Sequence, residues 1–286
     1  MRIRRLVAPR LATPAVVAVA LAIGAPAGAR ADWQQVGDPV AQSDQTIAGY
    51  DLKRVGGVPH IAWSEWSGDH YVVKVARLDP GSNTWVQVGP VLNHDPARGA
   101  SEPSLASSPD GVPWVAWTER DSHGINEVRA ARLSDDAKRW IEPDPSDFAL
   151  NPVPADWAEW GPALFHAGSP SLVFLGDRPY IVDVGENPSE SENAMFRLAD
   201  DGHSWERVGG GFGAWIPGAP TAAVFDGLLH VISPFRWDTS IITRLSQDGH
   251  WQDIWRGGEV QTPCGSSRSE ERRVGKECRS RWSPYH

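Results

Sequence analysis

The sequence predicts an all-β chain, a β-propeller of four-stranded antiparallel blades, and three observations carry that prediction. Tryptophans that open a short β-rich segment recur at Trp33, Trp85, Trp140, Trp205 and Trp251, spaced 52, 55, 65 and 46 residues apart. Blade-type repeats fall near this period. An Arg-Leu pair precedes four of them (Arg77-Leu78, Arg132-Leu133, Arg197-Leu198, Arg244-Leu245), with 8, 8, 8 and 7 residues from Arg to Trp. Each repeat also holds one segment that is apolar at consecutive positions, such as His60-Ile61-Ala62-Trp63 and Trp114-Val115-Ala116-Trp117. A strand is apolar on both faces only where sheets cover both sides, as they do when blades stack radially. A helical solenoid would show a 3.6-residue period and few internal prolines. This chain shows the reverse.

Taken in order, residues 1–31 read as a secretory signal. Arg2, Arg4, Arg5 and Arg10 precede the apolar run 15–23, and small residues end at Ala29-Arg30-Ala31. That run is too short for a membrane anchor, so the reading places the body of the protein outside the cell, beginning near Asp32. Each repeat then supplies four segments divided by Gly, Pro, Asp and Ser. The first segments are TIAGYDLKR, PSLASSPDG, PSLVFLGDR and PTAAVFDGL. The second are VPHIAWSE, VPWVAWTE, RPYIVDV and LLHVISP; the third end in Arg-Leu, and the fourth open on Trp. Four blades follow, at about 46–89, 101–144, 170–209 and 219–256, within a propeller body of 32–267. The WQQVG copy at 33–37 reads as a fourth strand without its own first three, the kind of strand that completes the last blade of a ring.

The stretch 268–286, RSEERRVGKECRSRWSPYH, matches the in-frame translation of a common sequencing-library adapter and is left out of the fold reasoning. On this reading the four blades are part of a parent with six or seven, and the strand at 33–37 has lost its own blade. Cys278 lies in that tail, leaving Cys264 alone, so the two cysteines do not argue for a disulfide.

Charge excludes one class of partner. The 27 basic and 36 acidic residues give a net charge of −9. Five of the basic residues lie in 1–31, and six basic and three acidic ones in 268–286, so the body keeps 16 and 33, a net −17. A nucleic-acid partner needs clustered Lys and Arg to release counterions, and none is present.

The turns before each repeat Trp, LDPGSNTW, LSDDAKRW, LADDGHSW and LSQDGHW, resemble the Asp-box of sialidase-type propellers, a Ser-x-Asp-x-Gly-x-Thr-Trp pattern. Ser246, Asp248, Gly249 and Trp251 fit it with a shortened loop; Asp201, Gly202 and Trp205 fit in part. The Val-Ala-Trp-Thr/Ser-Glu cadence is similar to that of secreted sialidase-like or kelch-like propellers. The resemblance spans about 33–256 and implies a structural Asp that caps the turn, with a Trp packed between blades. Elementary chemistry agrees, since Asp closes turns on its own backbone and Trp offers a large buried face. The sialidase catalytic set does not carry over. There is no Arg-Ile-Pro near the start of the body, and no Tyr–Glu nucleophile pair can be placed.

Symmetry then sorts structure from function, because a residue present in every blade serves what every blade needs. Arg77, Arg132, Arg197 and Arg244 are therefore expected to form a structural ladder with turn aspartates or tryptophans. His60, Trp114, Tyr180 and His230 share one repeat position, which makes the two histidines packing residues. No His pair has zinc spacing, no Asp-x-Asp-x-Asp-Gly loop occurs, and no cofactor is called for. Glu65 and Glu119 are symmetry mates, too far apart around a ring to form the carboxylate pair of a glycosidase.

What breaks the symmetry is the loop set between second and third strands and between blades. These loops carry Trp66, Trp157, Trp160, Trp215 and Trp237, together with Arg120, His123, Glu159 and Arg236. Tryptophans beside acids and arginines suit a sugar-like ligand, apolar on its face and hydroxylated at its rim. The candidate ligand-binding set is thus Trp66, Trp157, Glu159, Trp160, Trp215, Arg236 and Trp237. The favoured function is a secreted, non-catalytic module that binds a glycan or cell-surface polymer. The alternatives are a sialidase-like glycoside hydrolase or lyase, and a structural surface protein in which these rings only lid the blades.

Overall fold

A computed structural model describes residues 35–41, 45–120, 126–143, 169–184, 193–212, 219–236 and 239–257. The chain divides into two compact units, Met1–Gln35 and Val36–His286, and the fold set out here is that of the second.

The described residues form four antiparallel sheets, each of four strands in chain order. The first holds β1 (Ile47–Val55), β2 (Val58–Trp66), β3 (Tyr71–Asp79) and β4 (Thr84–Gln87); the second, β5 (Ala100–Ser107), β6 (Pro113–Arg120), β7 (Asn126–Leu133) and β8 (Trp140–Ile141). The third holds β9 (Ser171–Leu175), β10 (Arg178–Val184), β11 (Asn193–Leu198) and β12 (Trp205–Arg207). The fourth holds β13 (Thr221–Phe225), β14 (Leu228–Arg236), β15 (Thr239–Leu245) and β16 (Trp251–Gly257). Two-residue hairpins join first to second strands in the first, third and fourth sheets, and residues 108–112 do so in the second. The Gly56-Gly57 turn has φ of 55° and 85°, and Asp226-Gly227 has 51° and 69°. Both positions are left-handed, as the twist of a tight hairpin demands.

The sheets stack face to face in sequence, with β1 beside β5, β5 beside β9 and β9 beside β13. Each junction has its own apolar core. Val73, Val75, Val115 and Trp117 meet at the first, Ala116, Ala130, Ile181 and Phe196 at the second, and Val182, Met195, Leu229 and Val231 at the third. The second strands of the two inner sheets, β6 and β10, are therefore covered on both faces, and β6 is buried from Pro113 through Glu119. Double coverage explains their consecutive apolar residues.

The repeat arginines occupy one register position. His60, Arg77 and Val86 lie abreast on β2–β4, and Trp114, Arg132 and Ile141 on β6–β8. Tyr180, Arg197 and Glu206 do the same on β10–β12, as do His230, Arg244 and Gln252 on β14–β16. Arg132 pairs with the turn Asp135 at 3.6 Å, Arg197 with Glu206 at 2.6 Å, and Arg244 donates to Gln252 at 3.1 Å. These three arginines thus serve their own sheets. His60 and His230 each place Nδ1 about 3 Å from a carbonyl two residues earlier, Val58 and Leu228.

The Asp-bearing turns close on themselves. Asp201 accepts from the amides of His203 and Ser204 at 2.8 and 2.9 Å, and Asp136 from Ser134 Oγ at 2.6 Å. The tryptophan that follows such a turn meets the glycine that ends the preceding sheet. Trp140 Nε1 donates to Pro90 O at 3.0 Å, and a Cβ added to Gly89 would lie 2.8 Å from that same nitrogen. Trp251 packs on Gly209, and Trp85 on Gly37, in the same way. Gly37 thus stands toward the first sheet as Gly89 stands toward the second. A fourth strand was expected over 33–37. Its described residues within this unit, Val36 and Gly37, are not in a strand.

Candidate functional site

The symmetry-mate carboxylates Glu65 and Glu119 are buried and serve packing. On one face of β6, Trp117 Nε1 donates to Glu119 Oε2 at 2.9 Å. The same carboxylate accepts the backbone amides of His94 and Asp95, each at 2.8 Å. Glu119 is almost wholly buried, and its charge is met by three donors. It fastens the segment linking the first sheet to the second. Glu65 repeats the arrangement: Trp63 Nε1 donates to it at 2.7 Å, and Lys74 forms an ion pair with it. Buried charge held this way is structural.

A cleft of about 450 Å³ lies where the first and second sheets meet. Its wall is assembled from three kinds of segment. Trp66 ends β2 and Arg120 ends β6, so the two occupy one repeat position. Asp69 and His70 come from the β2–β3 connection, Tyr71 opens β3, and Glu102 comes from β5, the first strand of its sheet. Backbone bonds fix the strand ends, with Trp66 N donating to Thr46 O and Arg120 N to Gly99 O, both at 3.0 Å.

Local irregularity shapes this mouth. The register slips between Ile47 and Gly49 on β1 and between Ser101 and Ser104 on β5, and Glu102 sits at φ 55°. Bulges of this kind re-aim side chains near functional sites. Glu102 bonds Ser169. Asp69 accepts Ser67 Oγ at 3.2 Å and pairs with His70 Nδ1 at 2.7 Å. Trp66 is 41% exposed and set edge-on to Tyr71, with centroids 5.2 Å apart and planes at 74°. Tyr71 thus props the indole and leaves its face open. A flat apolar ring flanked by two carboxylates, an imidazole and a guanidinium suits a ligand with alternating apolar and hydroxyl surface.

Of the sequence candidates, Trp66 lines this cleft. Arg236 ends β14, past a register slip after Pro234, at the corresponding end of the fourth sheet. Trp157, Glu159, Trp160, Trp215 and Trp237 lie outside the described residues, as does His123. Asp69, His70, Tyr71 and Glu102 were missed as site residues. The signal available, for all but Tyr71, was their place in the loops between second and third strands and between blades, the stretches 67–70 and 93–102. Among the described residues no group of three His, Cys, Asp or Glu side chains could hold a metal ion.

No protein-family model matches the chain, and no curated protein matches its sequence. Solved structures do match in shape. Zg3597, a family 117 glycoside hydrolase of the marine bacterium Zobellia galactanivorans, aligns over 78% of this chain and 74% of its own, with 9% identity and a TM-score of 0.53. Fructan 1-exohydrolase IIa from Cichorium intybus aligns over 71% of this chain and 43% of its own, with 16% identity and a TM-score of 0.50. The sialidase of Trypanosoma rangeli, solved with sialic acid, aligns over 73% and 37%, with 11% identity and a TM-score of 0.49.

The chain has the fold of a β-propeller. At these identities the comparison establishes architecture alone. The propeller's first strands stand side by side, and its open cleft lies at the ends of the second strands.

Proposed function

We propose that this propeller is a carbohydrate-active protein of the glycoside hydrolase-like kind, and that its glycan lies in the cleft between the first and second blades. The observation that carries this reading is the half-exposed Trp66 face set beside Asp69, Glu102, His70 and Arg120 in one cleft of about 450 Å³. Sugar rings present an apolar face to an indole while their hydroxyls reach charged groups at the rim. The solved neighbours support the class, since two of them are named as a glycoside hydrolase and a fructan exohydrolase. Hydrolysis requires two carboxyl groups flanking the bond, about 5–10 Å apart. Asp69 and Glu102 are the pair that line this cleft.

A second reading, binding without turnover, has its own support. Both carboxylates already hold partners, Asp69 with Ser67 and His70 and Glu102 with Ser169. The Asp-box resemblance of the turns and a secreted location fit either reading. The test is turnover of a panel of polysaccharides and fluorogenic glycosides by the full chain and by D69N and E102Q. Hydrolysis lowered about 100-fold or more in either variant supports the enzyme. Retained binding with no turnover by the unaltered chain supports the second reading. Neither binding nor turnover of any glycan overturns both.

A further inference from the structure

The three junctions between consecutive blades are built alike. At each, a side chain on one first strand accepts an amide from the next blade's first strand. Asp51 Oδ2 accepts from Leu105 N at 2.8 Å, Ser104 Oγ from Leu172 N at 3.0 Å, and Ser171 Oγ from Ala222 N at 2.9 Å. Asp51, Ser104 and Ser171 stand opposite Ala62, Ala116 and Val182 in their ladders. Each then begins a row that runs on to Val75, Ala130 and Met195, and these partners are buried under the following blade.

The outer faces of the stack carry the two halves of one more such junction. On the fourth blade the equivalent row is Thr221, Ile232, Ile242 and Trp255. It has no covering blade among the described residues, and Ile232 is 49% and Trp255 44% exposed. On the first blade Leu52 pairs with Ile61, as Leu105 pairs with Val115 and Leu172 with Ile181. Leu105 and Leu172 are fully buried, whereas Leu52 is 56% exposed. A cleft of about 280 Å³ opens on that same face beside Trp63, Glu65 and Lys74. One outer face thus presents an accepting hydroxyl and an apolar row. The other presents the amide position and the apolar surface that such rows meet inside the molecule.

We propose that a second copy of this chain docks head to tail, with the Thr221–Ile232–Ile242–Trp255 row of one copy against the Leu52–Ile61 face of the other. The occupant is argued from complementarity, because these two faces are opposite halves of an interface the fold already makes three times. The fourth-blade row is apolar surface contiguous across strands, which is unusual on a monomer. The contact is heterologous, so it closes into a ring if the angles allow and otherwise extends. The proposal is independent of the carbohydrate reading.

The test is sedimentation of the full chain with variants blocked on one face each, I232K on the fourth blade and L52K on the first. The unaltered chain is expected to sediment at twice the monomer mass or more. Each variant alone should lose self-association about tenfold or more, with its β-sheet circular dichroism unchanged. Mixed, the two should form a discrete one-to-one dimer, because I232K keeps an intact Leu52 face and L52K an intact Ile232 row. Symmetric association through one face cannot give that result. W255K, on another strand of the same row, takes the place of I232K if that variant does not fold. An unaltered chain that stays monomeric at every concentration, or a mixture that stays monomeric, overturns the proposal.

Discussion

Trp117 donates its indole Nε1–H to the carboxylate of Glu119, two residues further along the same face of β6, at 2.9 Å. The pair is the structural content of the Val-Ala-Trp-Thr-Glu cadence, and Trp63 with Glu65 repeats it at 2.7 Å. A motif that reads as a possible acid is here an anchor, since the other acceptor positions of Glu119 hold the His94 and Asp95 amides.

Glu119→Ala leaves two backbone amides and an indole N–H without a partner in the interior. Each stranded donor costs about 1–3 kcal/mol, so the variant should lose roughly 3 kcal/mol or more in chemical denaturation. Glu119→Gln keeps the shape and loses the charge, and should lose less. Equal stability of all three proteins would show that the anchor is not structural.

Gly89 has φ 67° and faces Trp140 closely enough that a Cβ would lie 2.8 Å from Nε1. Gly89→Ala should therefore cost about 2 kcal/mol, from left-handed backbone strain and displacement of the indole together. Gly37, at φ 73° and equally close to Trp85, should cost as much when changed to Ala. Thermal melts of the two variants measure whether residue 37 is as firmly seated as residue 89.

Stability should fall in two stages on acidification. Burial holds His60 below its usual pKa, so the folded state favours the neutral ring. This contribution is complete above the unfolded value of about 6.5 and is lost as pH falls toward the depressed folded value. Asp79, Asp136 and Asp248 are held below the usual carboxylate range, chiefly by the hydroxyls of Ser82, Ser134 and Ser246. Asp201 is lowered chiefly by the His203 amide. Their contribution is present above about pH 3.9 and is lost below it. Urea midpoints measured from pH 8 to 3 should show both stages, and His60→Gln should remove the upper one alone.

The fold class was legible because the repeat period and doubly apolar strands are local patterns. Glu119 was harder to place. Its partners His94 and Asp95 lie 25 and 24 residues away in an irregular link, and no spacing rule points there. The same holds for the junction bonds, which join residues 54, 68 and 51 positions apart. Trp66 was legible as a departure from the repeat. Glu102 was not, because its position follows from a register slip on β5 that depends on how β1 packs beside it.

The arginine ladder gives a contrast for the site. Each of Arg132, Arg197 and Arg244 bonds within its own sheet at an exposed or half-exposed place. Arg132→Ala should therefore change stability by less than about 1 kcal/mol and leave glycan binding at its original strength in titration calorimetry.

The central claim is that recurring residues hold the blades together and the departures from the repeat meet the ligand. Its most direct measurement is glycan affinity of Trp66→Ala beside that of Glu119→Gln, with melting temperatures recorded for both. The account predicts that Trp66→Ala binds at least about tenfold more weakly, roughly 1.4 kcal/mol, at an unchanged melting temperature. Glu119→Gln should melt earlier and, at temperatures where it is folded, bind as before. Unchanged affinity in Trp66→Ala, or affinity lost in folded Glu119→Gln, would contradict it.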